Sequence, residues 1–398
     1  MATLRPFRAL RPTPFEAAAV AAVPYDVVNT EEARALADDN PLSFLRVSRA
    51  ELELPSGTDP YSPAVYERAV ENFARLRRSM VLEAEPSVYF YRLRRGSHEQ
   101  TGVAACWTLD EYDRGVIKKH EKTRRDKEDD RTRHMIALRA QTGPVFLTYR
   151  ASDEVDAIAQ RVTAATPVID FEALDGVQHA VWKVDGADCA PLVAAFARVP
   201  ALYIADGHHR AASAARTRAE LKGAGDSSTF LAVAFPHDQV QVLPYNRVVK
   251  TLGTLTADAF EKAVRERFEV SGATAMPARR GDIAMYFGGK WQTLRARAQS
   301  TADTIRSLDV SVLQEQLLAP VLGIFDITTD KRVDFVGGAK GTRELERLVD
   351  SGVAVVAFSM FPVSVADLMA VSDAGAIMPP KSTWFEPKLR DGLLIHLI

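Results

Sequence analysis

The chain has 398 residues, with 50 Lys plus Arg against 52 Asp plus Glu and a formal charge of −2. A hydrophobic fraction of 47% and a charged fraction of 26% are those of an ordinary globular protein with enough apolar material for a core. The balance argues against a globally basic nucleic-acid coat or an acidic tail, the two cysteines (Cys106 and Cys189) against a disulfide framework or thiolate zinc site, and the short apolar runs against a membrane span.

Arg5, Arg8 and Arg11 precede an Ala-rich stretch from Ala17 to Val23, but Glu16, Pro6, Pro12 and Pro14 interrupt any leader helix. A cytoplasmic protein is expected. Ser62-Pro63 reads as a helix start, followed by Val65, Ala69, Phe73, Leu76 and Met80 at steps of three and four. Ser87 to Leu93 and Thr101 to Trp107 read as a hairpin turning at Arg95-Gly96-Ser97. Residues 118–134 are charged and helix-compatible. Strands are expected over Val145 to Tyr149, Val168 to Phe171, Gln178 to Val184 and Leu202 to Ala205, with a helix from about His208. Phe230 to Phe235 and Gln239 to Leu243 read as strands, and Thr256 as the cap of a helix carrying Phe260, Val264 and Phe268. Ile283 to Phe287 and Trp291 to Arg295 form a hairpin through Gly288-Gly289, a helix follows around Val312 to Leu322, and strands near Val353 to Phe358 and Leu393 to Leu397 close the chain. The fold class is α/β or α+β, with mixed sheets and helices and no clean run of βαβ units. Soft boundaries fall near 115 and 250, giving regions 1–115, 116–250 and 251–398.

Familiar catalytic signatures are missing: no G-x-G-x-x-G, no G-x-S-x-G and no H-E-x-x-H. Gly337 to Thr342 lacks the G-K-[ST] order and reads as a turn into a helix. Chemistry concentrates in three other segments. In Tyr203-Ile204-Ala205-Asp206-Gly207-His208-His209-Arg210 an apolar strand ends in Asp-Gly and an Ala-rich helix begins. The first-turn amides of that helix, with His208, His209 and Arg210, favour an anion, phosphate above all. Asp206 can hold Mg²⁺, orient a histidine or take a proton from a hydroxyl. The rival is a helix start whose Asp caps and whose histidines pack.

Residues 118–134 carry eight Lys or Arg and five Asp or Glu, net +3. As a helix, His120, Arg124, Lys127, Arg131 and His134 would form one basic stripe able to line a polyphosphate site, with Glu121 at its end; the alternative is a solvated helix laced with ion pairs. No aromatic interrupts the run, so nucleic acid is disfavoured as a partner. In Met378-Pro379-Pro380-Lys381-Ser382-Thr383-Trp384-Phe385-Glu386-Pro387-Lys388, prolines stiffen a loop that offers a lysine and two hydroxyls to an anion, or simply orders the C-terminal region. Tyr25-Asp26 and Asn40-Pro41 carry weaker signals, while His179 and Trp182 look like strand packing and His98, His237 and His396 incidental.

Together with Pro24 to Val28, Asn40-Pro41, His120-Glu121-x-Thr123, Arg131 and His134, these segments resemble, in order and over nearly the whole chain, the bacterial family filed as domain of unknown function 1015. The Asp-Gly-His-His-Arg element alone is also similar to the phosphate-binding motif of the ParB, sulfiredoxin and free-serine-kinase group, over about 202–243. That resemblance implies nucleotide phosphates held against the helix start and a carboxylate base activating a hydroxyl. The expectation is a phosphotransferase using ATP or ADP with Mg²⁺ on a small hydroxyl metabolite such as serine. Glu121, Asp206 and His208 would be catalytic, and His120, Gly207, His209, Arg210, Lys381, Ser382 and Thr383 would bind phosphate. A phosphatase of a small phosphorylated metabolite and a non-enzymatic nucleotide-binding switch use the same residues. A homo-oligomer stays open.

Overall fold

Apolar β-runs such as Val145–Tyr149 and Thr229–Pro236 recur through the first 240 residues, and most of them join one nine-stranded sheet. In the computed structural model, which describes residues 2–272, 274–297 and 303–398, the chain sorts into two units. The first holds residues 1–119, 123–240 and 387–398; the second holds 120–122 and 241–386. The three consecutive regions expected from composition do not match this sorting. Ile117–Lys118 joins the first unit's sheet, so no boundary falls at 115, and the last residues of the chain return to the first unit.

The first unit's sheet contains β1 (Leu4–Arg5), β2 (Tyr89–Arg95), β3 (His98–Thr108), β4 (Ile117–Lys118), β5 (Val145–Tyr149), β6 (Ile169–Glu172), β7 (Gln178–Lys183), β8 (Leu202–Asp206) and β9 (Thr229–Pro236). Its order is β4-β8-β5-β9-β3-β2-β7-β6, with β1 beside β3. The pairs β4/β8 and β5/β9 are parallel and the others antiparallel, the mixed sheet expected of this α/β chain. Successive side chains of a strand point to opposite faces. Val103, Ala105 and Trp107 of β3 therefore join Val145, Leu147 and Tyr149 of β5 and Ala232 and Ala234 of β9 in one core. Helices Asp153–Thr163 and Gly186–Phe196 supply Val155, Ile158, Leu192 and Phe196 to it.

Three helices matter for the site: α1 (Pro63–Arg77), α2 (Arg125–Leu138) and α3 (His208–Glu220). α1 buries Val65, Ala69, Phe73 and Leu76, the three-and-four spacing read from the sequence, against Phe44, Leu45 and Leu138. The charged run behaves differently from expectation. Its helix starts only at Arg125, so His120 and Arg124 lie outside it and the five-residue stripe does not form. Asp130 and His134 are buried, because α2 packs between α1 and α3 and does not lie in solvent.

The second unit is built on β10 (Tyr245–Val249), β11 (Phe268–Ser271), β12 (Asp282–Phe287), β13 (Lys290–Ala296), β14 (Val333–Gly337) and β15 (Val356–Ser359). Their order is β11-β13-β12-β15-β10-β14, all antiparallel. Gly288 and Gly289, at φ 58° and 75°, make the two-residue turn between β12 and β13, where both central positions need a positive φ. Thr256 Oγ1 accepts from the Ala259 amide and caps α4 (Ala257–Arg267), as its position before the apolar periodicity implied. Gly341–Asp350 is a helix whose Leu345 is fully buried beside Val248, Tyr286 and Ala357.

Candidate functional site

The element Leu202–Asp206, Gly207, His208–Glu220 is a strand, a one-residue turn and a helix, as the sequence indicated. Strand β8 loses its register against β5 between Ile204 and Asp206. A bulge there re-aims the residue that follows it, here Asp206. Gly207 sits at φ 92°, and a Cβ on it would lie 2.9 Å from Arg210 Nε, so both the backbone angle and the space demand glycine. The N-cap position makes no side-chain hydrogen bond to the 13-residue α3. The start of such a helix is its positive dipole end, which favours an anion.

Asp206 is the electrostatic centre of the junction. Its Oδ2 accepts from Lys388 Nζ at 3.3 Å and from Arg210 Nη2 at 3.4 Å. Burial alone would push the carboxyl up, but Lys388 and Arg210 outweigh it and hold Asp206 well below the usual carboxylate range. The carboxylate stays charged throughout the neutral range. Among the described residues its Oδ1 carries no hydrogen bond, and the side chain is 29% exposed.

Each neighbouring cation has internal duties. Arg210 is buried; its Nη1 donates to the Pro144 carbonyl and its Nε has no partner. His209 Nε2 accepts the Arg124 backbone N–H at 3.0 Å, which ties the start of α3 to the N-cap of α2 and makes this nitrogen the unprotonated one. His208 is buried at the first position of α3. From α2, Arg131 pairs with Asp130 at 2.7 Å and lies 4.2 Å over the Tyr25 ring. His134 Nε2 meets the Val47 carbonyl at 3.0 Å, and burial, then Arg131, drives its pKa down to about 4, so the ring is neutral and donates.

The C-terminal strap brings residues that the sequence did not single out. Lys388 is one. Arg390 is another: its Nη2 pairs with Asp175 at 2.5 Å and its Nε donates to His179 Nε2 at 3.2 Å. With that nitrogen accepting, the His179 proton sits on Nδ1, 2.9 Å from the Tyr91 hydroxyl. His179 packs on Phe171 as expected, but it also orients Arg390. Asp391 is 4% exposed, and among the described residues its Oδ1 has no hydrogen-bond partner. Burial pushes its carboxyl up to about 7; Asp26 adds to the rise, while Arg210, Arg131 and Arg390 oppose it. Lys388 stood in a quoted motif and could have been picked out. Asp391 gives little local signal, because apart from the adjacent Arg390 the charged groups around it come from residues 26, 131 and 210.

The second unit holds the other sequence-predicted residues. His120 Nε2 lies 3.3 Å from Thr383 Oγ1, and the His120 carbonyl accepts the Met378 N–H at 2.8 Å. Glu121, half-buried, stands beside His120 in the same short segment. Ser382 Oγ donates to the Pro379 carbonyl at 2.6 Å, and exposed Lys381 is left-handed at φ 59°. Trp384 and Phe385 anchor the loop: Trp384 lies 5.2 Å from the Tyr245 ring and Phe385 is buried. Asn40, a weaker candidate in the first unit, closes its own turn by accepting from Leu42 N and donating to the Ala19 carbonyl.

The chain belongs to the family described as protein of unknown function, DUF1015, whose model matches residues 4–311. No curated protein matches it. Among solved structures it is similar to a variant free serine kinase in complex with ADP, at 15% identity over 74% of this chain and 92% of that one, with a TM-score of 0.38. It is also similar to a C-terminally truncated SbnI from Staphylococcus aureus, at 13% identity over 74% and 87%, with a TM-score of 0.40.

Proposed function

We propose that the protein is a nucleotide-dependent phosphotransferase acting on a small hydroxyl metabolite, with serine as the acceptor that the resemblance to the free-serine-kinase group suggests. The observation that carries the proposal is the junction at 206–208, where an ionised aspartate and a left-handed N-cap glycine stand before a 13-residue helix. Such a helix start receives phosphate oxygens through its backbone amides. Phosphoryl transfer asks mainly for positioning and charge neutralisation, which suits a junction made of cations around one carboxylate.

The roles divide by protonation. A general base works best with a pKa near the operating pH, and Asp206 is held far from it. Asp206 instead suits a cation: Mg²⁺ takes carboxylate and phosphate oxygens, and Asp206 Oδ1 is the oxygen that Lys388 and Arg210 leave for it. Bound Mg²⁺ would supply charge neutralisation on the phosphates. Gly207, His208, His209 and Arg210 form the phosphate-facing first turn, with His208 balancing charge on the transferred group. In the second unit, Glu121 is the residue expected to act as base and His120, Lys381, Ser382 and Thr383 those expected to bind phosphate.

Incubation with ATP or ADP, Mg²⁺ and serine should yield phosphoserine. Glu121→Gln should abolish turnover and keep nucleotide affinity; a fully active Glu121→Gln protein would refute the role. Phosphate release from phosphoserine without nucleotide would mark a phosphatase instead, and nucleotide binding without turnover a switch.

A further inference from the structure

Arg247, in the middle of β10, is 1% exposed, and among the described residues no carboxylate pairs with it. The buried arginines of the first unit are compensated: Arg131 by Asp130, Arg210 by Asp206 and Arg390 by Asp175. Burial brings the Arg247 guanidinium down to about 10, which leaves it charged at neutral pH. A guanidinium taken out of water without a counter-charge is destabilising, and a fold that keeps one needs an anion or a positional use for it.

The positional use is visible. Arg247 Nη1 donates to the Tyr245 carbonyl and Nη2 to the Lys381 carbonyl at 3.0 Å, while Nε has no partner. Lys381 is one of three non-glycine residues with positive φ among those described, a conformation that costs a side-chain-bearing residue energy. Its Nζ lies 5.5 Å over the Tyr245 ring. The ends of the loop are tied by Ser382 to Pro379 and by Met378 to the His120 carbonyl. The loop is thus held in one shape, with a lysine, two hydroxyls and a buried positive charge behind it.

We propose that Arg247 is the positioning residue of an anion-binding site in the second unit: it grips the Lys381 carbonyl, holds Lys381 in its left-handed conformation, and lends its charge to a phosphate group bound on the Lys381–Thr383 loop. This rests on the proposed function for the identity of the anion as a nucleotide phosphate. A role confined to tying two carbonyls would make Arg247 matter for folding and leave ligand binding alone.

The test is ADP titration and thermal melting of the full chain as wild type, Arg247→Lys, Arg247→Met and Lys381→Gly. Glycine is at ease at φ 59°, so Lys381→Gly should melt no lower than wild type yet bind ADP about tenfold more weakly. Arg247→Met should weaken ADP by about tenfold or more, and Arg247→Lys should recover part of the loss by restoring charge without the fork. Wild-type affinity in Arg247→Met overturns the inference; if Arg247→Met does not fold, full wild-type affinity in Arg247→Lys, which keeps the charge and loses the fork, overturns it. A wild type that binds no ADP overturns this inference together with the proposed function. ADP binding that is lost in Gly207→Ala but unchanged in the second-unit variants overturns only this inference.

Discussion

Asp391→Asn tests the electrostatics of the first unit. Asp391 is buried, its Oδ1 lacks a partner, and its carboxyl holds a proton up to about pH 7 in the folded state. In the unfolded chain the same group ionises near pH 4. Its folded pKa is raised, so the folded state binds more protons than the unfolded state across that interval. Stability therefore falls as pH rises, by ~1.4 kcal/mol per pH unit, about 4 kcal/mol in all between pH 4 and pH 7. Asparagine keeps the shape and cannot ionise. Wild type and Asp391→Asn should have similar urea midpoints at about pH 3.5, below the unfolded carboxyl's pKa, and the variant should be the more stable at pH 8 by up to about 4 kcal/mol. Comparing the two proteins at each pH removes the titration of other groups, such as Asp309. A variant less stable than wild type at pH 8 would show that the ionised carboxylate is compensated by Arg210, Arg131 and Arg390, and would refute the assignment.

Two further substitutions examine the junction. Asp206→Asn leaves Lys388 and Arg210 without their shared counter-charge and should cost about 3 kcal/mol in urea unfolding at pH 7. Because the Asp206 carboxyl is held low, its contribution is present at neutral pH and lost as pH falls below about 4, so the cost of the substitution should shrink in acid. An Asp206→Asn cost that does not change between pH 7 and pH 3 would contradict the ion-pair account. Gly207→Ala places a Cβ at φ 92° against Arg210 Nε and should lower stability by about 1–2 kcal/mol while weakening anion binding; unchanged stability would show that the turn relaxes freely.

Local patterns were legible where they carried their own punctuation. Gly288-Gly289 between alternating apolar runs, Thr256 before Phe260 and Val264, and Asp206-Gly207 before an alanine-rich stretch each announced a turn or a helix start, and the structure has them there. The conditional stripe in 118–134 does not form, and charge spacing cannot show why: 117–118 are drawn into a strand beside β8 and the helix starts only at Arg125. The C-terminal strap was opaque for a different reason. Arg390 is held by Asp175 and His179, and Asp391 is perturbed by residues 26, 131 and 210, all distant in sequence. Arg247 looks like any strand arginine until its burial, and the lack of an acidic partner among the described residues, are seen.

The most direct test is titration of ADP with Mg²⁺ into wild type, Gly207→Ala and Asp206→Asn, followed by thermal unfolding. At 100 times its Kd, a ligand confined to the folded state stabilises by about 2.7 kcal/mol. The junction at 206–208 predicts that stabilisation in wild type and its loss, or a rise in Kd of about tenfold or more, in both variants. No stabilisation of wild type by ADP, or an equal shift in all three proteins, would contradict a phosphate site at this helix start.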